Sequence, residues 1–236
     1  MGSIYKREMK SYFTTMVGYI YMAIFFLVSA FFFMQYTVQA GENSDPASYF
    51  QIILYLFIIV IPLITMKLVS EERKMKTEQL LLTAPVSLWG IIIAKFLAAF
   101  TLFGSAFIVS SIIYYIPLAT YGSPNIAIYV GSVFAILLVG MAFISIGIFI
   151  SSLTENQFIA AFGTIASIIV LLLINRLESY INSSFVRTII DNISIISRYN
   201  SFTNGIFDYA ALVYFITITA LFLFLSVRVF EKRRWS

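Results

Sequence analysis

The chain has 236 residues, 61% of them hydrophobic, 17% aromatic and 11% charged, whereas soluble domains average about 45–50% apolar and about 25% charged. With a mean hydropathy of +0.95 it reads as an all-α integral membrane protein forming one domain over residues 1–236. No cysteine or histidine occurs, which excludes disulfides and thiolate metal sites and removes the commonest metal ligand and general base. The net charge of +4 gathers beside apolar segments, so it is a topology signal and argues for no nucleic-acid partner.

In chain order, Tyr5, Met9, Tyr12, Phe13 and Met16 recur at helical spacing, with Lys6, Arg7 and Lys10 off that face. This pattern predicts an amphipathic helix on the membrane surface, its cations among anionic headgroups. A first span follows at about 17–38, longer than a signal-peptide core of about 7–15 residues and so a retained anchor. The loop holding Glu42, Asp45 and Pro46 has no basic residue. A second span covers about 50–66, with Pro62 near its inner end, where a proline allows a kink.

Residues 70–85 are the densest charge cluster in the chain and read as a short cytoplasmic helix. Ser70 is its N-cap, Glu71 and Glu72 suit the positive end of the dipole, and Glu72 and Lys76 form an i,i+4 pair. A third span at about 89–117 is long enough to tilt or to break near Tyr114-Tyr115. Lys95 lies two turns inside it and is expected to snorkel to the cytosolic surface.

A fourth span at about 126–153 carries small residues. Ala127, Gly131 and Ala135 repeat every four positions, and Gly147 and Ser151 repeat the spacing, which lets helix backbones approach closely. Packing is the favoured role and a substrate path the lesser one. A fifth span covers about 157–175. The segment 176–209 is too polar to cross. Within it Phe185, Ile189, Ile193 and Ile196 form one stripe, and Arg187, Asp191, Ser194 and Arg198 the other. That predicts an external amphipathic or re-entrant helix of about fifteen residues, with Ser183 or Ser184 as cap. A sixth span at about 210–230 ends in Glu231-Lys232-Arg233-Arg234-Trp235.

Six spans put both termini on one side. Lys6, Arg7, Lys10, Lys67, Arg73, Lys74, Lys76, Arg228, Lys232, Arg233 and Arg234 fall on that side, and only Arg176, Arg187 and Arg198 opposite. The positive-inside rule therefore makes both termini and the 70–85 loop cytoplasmic. No glycine precedes a lysine, so there is no P-loop, and no span carries paired carboxylates of the kind ion-coupled pumps bury as relays. If this chain moves something uphill, the energy must arrive from another subunit.

The stretch Thr65-Met66-Lys67-Leu68-Val69-Ser70-Glu71-Glu72-Arg73, running on to Thr77-Glu78-Gln79-Leu80-Leu81-Leu82-Thr83-Ala84-Pro85-Val86, resembles the loop after span two of ABC-2 type permeases, closest to the gliding-motility-like subfamily. The basic amphipathic leader Tyr5-Lys6-Arg7-Glu8-Met9-Lys10-Ser11-Tyr12-Phe13 and the start of span three at Ala94-Lys95-Phe96-Leu97-Ala98 resemble the same parts of that family, and Phe202 through Gly205, Asp208, Tyr214 and the terminal Arg233-Arg234-Trp235 resemble its last span and tail. One departure is Lys76, where the family usually has glycine; lysine argues for a continuous helix.

The resemblance implies the transmembrane subunit of an ATP-driven exporter in a prokaryotic cell membrane, not itself an enzyme. It implies a pair of cytoplasmic ATPase subunits and a second copy or related permease, and it leaves room for an extracytoplasmic accessory protein. ATP and Mg are expected on the ATPase and no cofactor on this chain. Docking would fall to Glu71, Glu72, Arg73, Lys74, Thr77 and Glu78, and the 185–198 helix would cap the exit path. Two alternatives stay open: a scaffold that anchors an ATPase or extracytoplasmic partner without transport, and an uncoupled channel or lipid scramblase. Gln51, Tyr55, Ser110 and Thr164 are the guessed path lining.

Overall fold

The structure, a computed structural model, describes residues 2–38, 46–79, 86–121, 125–177, 190, 192, 194–203 and 207–234. Among these residues it is all-helical. The order is α1 (Gly2–Thr14), α2 (Met16–Phe33, continued as a π-helix over Met34–Val38), α3 (Pro46–Thr65), α4 (Ser70–Lys74), α5 (Leu88–Tyr121), α6 (Ile126–Leu153), α7 (Gln157–Leu177), α8 (Ile195–Thr203) and α9 (Tyr209–Arg234). Six helices, α2, α3, α5, α6, α7 and α9, are long and apolar enough to cross a membrane. Two of the helix starts are capped locally. Asn125 caps α6 by accepting from the Ala127 amide at 3.0 Å, and Asp208 caps α9 by accepting from the Ala210 amide at 2.8 Å, as short polar side chains do at helix starts.

α6 is the hub. It packs against α3, α5, α7, α8 and α9, and the small residues on it decide where. Gly147 meets the Thr65 side chain of α3 and Gly140 the Phe103 ring of α5, each so closely that a Cβ would overlap them. A Cβ on Gly131 would lie 2.8 Å from the Phe202 carbonyl oxygen of α8. Ala135 and Ser151 are buried, whereas Ala127 is exposed on this chain. Glycine earns such contacts because backbone dispersion replaces the hydrophobic drive that lipid removes.

α5 runs unbroken through Tyr114, Tyr115 and Pro117. The break considered near Tyr114-Tyr115 is absent because these rings are held from outside the helix. Phe33 stacks on Tyr114 at 4.6 Å between centroids, and the Ser29 hydroxyl donates to Tyr114 Oη at 2.9 Å while lying 3.1 Å from Tyr49 Oη. At about 1.5 Å per residue the 34 residues of α5 span about 51 Å, well beyond a hydrocarbon core of about 30 Å. The surplus lets its first turns stand among α1 and α4.

On the amphipathic leader, α1 turns Glu8 and Tyr12 inward, with Ile4, Tyr5 and Met9 half-buried. Phe13 is exposed and Met16 is 79% exposed, so the inward stripe is narrower than the apolar spacing indicated. Tyr12 Oη donates to the Ile64 carbonyl at 3.2 Å; burial, with the Glu8 charge, pushes its pKa well up.

A candidate coupling site where both chain ends meet the loop between spans two and three

The loop after α3 falls short of one continuous helix. α4 covers Ser70–Lys74, a turn follows, and helical conformation resumes at Glu78 and Gln79; residues 80–85 lie outside those described. The break is at Lys76, whose φ of +58° is left-handed, a conformation that side chains with a Cβ resist. The Met75 amide still reaches Glu71 O at 2.9 Å, but the Lys76 amide drops back to Arg73 O at 3.0 Å, the tightening that ends a helix. Glycine, the residue usual there in the resembling family, would enter this conformation freely.

Nor is Ser70 the cap. Its hydroxyl donates backward to the Met66 carbonyl. The start of α4 is served from α6 instead: Ser151 Oγ accepts from the Val69 amide at 3.3 Å and the Ser70 amide at 3.1 Å, and donates to Met66 O at 3.2 Å. One hydroxyl of α6 thus satisfies orphan donors that a local side chain usually serves.

Lys95 does not snorkel. It is fully buried, because α1 and the loop close over it. Its Nζ lies 3.1 Å from Glu8 Oε1, 2.8 Å from Glu72 Oε2 and 2.6 Å from the Leu68 carbonyl oxygen. Arg7 Nη2 completes the cluster, 2.7 Å from Glu8 Oε1 and 2.5 Å from Glu72 Oε1. Glu72 is therefore spent inside the chain, away from Lys76. Burial alone would lower the Arg7 pKa, but the hydrogen bonds and charges of Glu8 and Glu72 carry it upward. Two cations and two anions make the cluster neutral, the condition under which buried charge is tolerated.

Two further ties hold the loop. Glu78 is buried and bonds Arg233 Nη1 of α9 at 3.0 Å, while Arg233 Nη2 donates to the Ser152 carbonyl of α6. Arg73 Nε lies 2.9 Å from Glu155 Oε1, and its Nη1 donates to Leu153 O at 3.2 Å. Of the six residues predicted to dock a partner, Glu72, Arg73 and Glu78 are engaged within the chain, whereas Lys74 and Thr77 are exposed and Glu71 is half-exposed. Met75, unremarked in the sequence, is 69% exposed. A groove of 330 Å³ runs between α1 and the loop, with Arg7, Ser11, Lys67, Glu71, Met75 and Thr77 on its walls.

At the far end, Phe185, Ile189 and Ile193 lie outside the described residues. Ile196 is described; it is buried on α8 with Ile195, Tyr199 and Phe202. Phe202 thus belongs to this short helix and not to the last span. Ser194, expected on the polar stripe, is buried, and its Oγ accepts from the Ser197 amide at 3.2 Å. Of the guessed path residues, Ser110 and Thr164 are buried and donate to carbonyls of their own helices. Gln51 and Tyr55 are exposed on one face of α3.

Among the described residues no three His, Cys, Asp or Glu side chains gather into a metal-holding group. What the arrangement offers is mechanical: a polar loop tied by ion pairs to α1, α5, α9 and the turn after α6. This is the organisation of a multi-pass helical membrane protein. The family profile described as "ABC-2 family transporter protein" matches residues 3–235, nearly the whole chain, and the protein belongs to that family. It is a membrane-spanning permease subunit of an ABC transporter. No curated protein matches the chain.

Proposed function

We propose that the chain is the permease half of an exporter whose energy comes from a separate ATPase docking on the loop between α3 and α5. The observation that carries this reading is the loop's two-sidedness. Its inner residues are committed to ties with α1, α5, α6 and α9, while Glu71, Lys74, Met75 and Thr77 turn outward at that same end. A push on the outer side reaches three spans at once. The family's general use of a separate ATPase and of paired permeases supports this assembly, with ATP and Mg on the ATPase.

In this reading the tied end is cytoplasmic, in accord with the basic residues, and the membrane is a prokaryotic cell membrane. The subfamily likeness to gliding-motility-like permeases belongs to the same proposal. The outward face of α3 at Gln51 and Tyr55 is where a second permease would complete the path, and α8 would lie at its outer exit. Closure of the ATPase would rock one bundle against the other, a rigid-body transition between two packings.

The test is retention. Glu71→Arg with Lys74→Glu alters the outward face and spares every inner tie. The expected result is loss of the co-purifying ATPase from a normally folded permease; unchanged retention and ATPase rate would overturn the docking reading. In proteoliposomes a transported substrate should change the ATPase rate, and a scaffold would show no such response.

A further inference from the structure

Lys95 Nζ donates to Glu8 of α1 at 3.1 Å and to the Leu68 carbonyl before α4 at 2.6 Å, and it lies 2.8 Å from Glu72 Oε2 of α4 as an ion pair. One nitrogen of α5 thus holds three segments, two by hydrogen bonds and α4 by charge. Arg7 doubles the link from α1 to α4, since a single Nη2 bonds both carboxylates. The Tyr12 bond to Ile64 O, at 3.2 Å, ties α1 to the end of α3 as well.

An anchor for an amphipathic helix needs no such cluster. Apolar residues of similar volume often hold as well or better than a buried ion network, and in some proteins the network's value lies in specifying geometry. α1 already has an apolar set of Ile4, Tyr5 and Met9 against the core. The ionic cluster adds orientation, and it orients α1 against the loop.

We propose that Lys95 and Glu8 are positioning residues of the coupling loop, and that α1 travels with the loop as one ionic unit, carrying the ATPase's motion to α5. This rests on the docking reading above, and the experiment separates the two. The cysteine-free sequence allows paired spin labels at Ser3→Cys on α1, Gln79→Cys on the loop and Phe158→Cys on α7, all exposed positions. In the assembled complex, trapping the ATPase with ATP and vanadate should shift the Ser3 and Gln79 labels together relative to Phe158, leaving the Ser3–Gln79 separation narrow and unchanged.

In Glu8→Gln, and separately in Lys95→Met, the ATPase should still be retained. The Ser3–Gln79 distribution should broaden, and the Ser3 label should stop following the trap while the Gln79 label still moves. A merely structural anchor would not split those two motions. A Ser3–Gln79 separation that changes on trapping in the intact cluster overturns the inference, as does a trap response unaltered by Glu8→Gln. If no ATPase is retained by the intact chain, the docking reading falls; the Ser3–Gln79 distribution of the permease alone, with and without Glu8→Gln, then decides whether the ionic unit exists.

Discussion

Glu72 Oε2 lies 2.8 Å from the Nζ of a fully buried Lys95, so the residue a sequence reading places on the docking surface is an internal strut. Removing one partner of a buried pair leaves an uncompensated charge and costs about 3–5 kcal/mol. Lys95→Ala should therefore lower the thermal unfolding temperature of the detergent-solubilised permease severely. Lys95→Met with Glu72→Met removes one charge of each sign, leaves Arg7 with Glu8, and should recover most of that loss.

The Arg73–Glu155 pair gives the opposite expectation. The Glu155 side chain is 61% exposed, and exposed ion pairs contribute about 0–1 kcal/mol. Glu155→Ala should leave the unfolding temperature nearly unchanged. A loss comparable to that of Lys95→Ala would show that the pair is far better shielded than its exposure indicates.

Lys76 holds a left-handed backbone at φ +58°, which costs a residue with a Cβ about 1–2 kcal/mol. Lys76→Gly should hold or raise stability, by up to about 1 kcal/mol after the extra unfolded-state entropy of glycine. Lys76→Val, β-branched, should lower it. Unfolding temperatures in the order Gly, Lys, Val check the turn, and a stabilising valine would contradict it.

Six spans and a charged loop were legible because hydropathy and length mark them and charge marks the rest; α6 even ends at Leu153 as its pattern indicated. The tertiary ties were not legible. Glu8 sits among apolar neighbours at inward spacing, yet nothing local reveals that its partner lies 87 residues away on α5. The cap of α4 comes from Ser151, 81 residues from Ser70, beyond the reach of any local capping pattern. Lys76 misled because helix propensity favours lysine, while the turn was imposed by the ties at Glu72 and Glu78 on either side. Gly140 stands outside the four-residue repeats, so no pattern marks its contact with the Phe103 ring.

The contact of Gly147 with Thr65 predicts that bulk on α6 is resisted. Gly147→Val should destabilise by about 1–3 kcal/mol, the usual range for overpacking. Thr65→Ala in the same chain should relieve part of it. Additive effects in the double variant would mean that the two residues do not meet.

If the outward face of the loop receives an ATPase while its inner face holds the permease together, the two faces separate by mutation. Co-purification of the ATPase with Glu71→Arg/Lys74→Glu measures it most directly, beside the unaltered protein and beside Glu155→Ala as a control on the inner ties. The outward variant should lose the ATPase at an unchanged unfolding temperature and the control should keep it; retention by all three would overturn docking on the outward face.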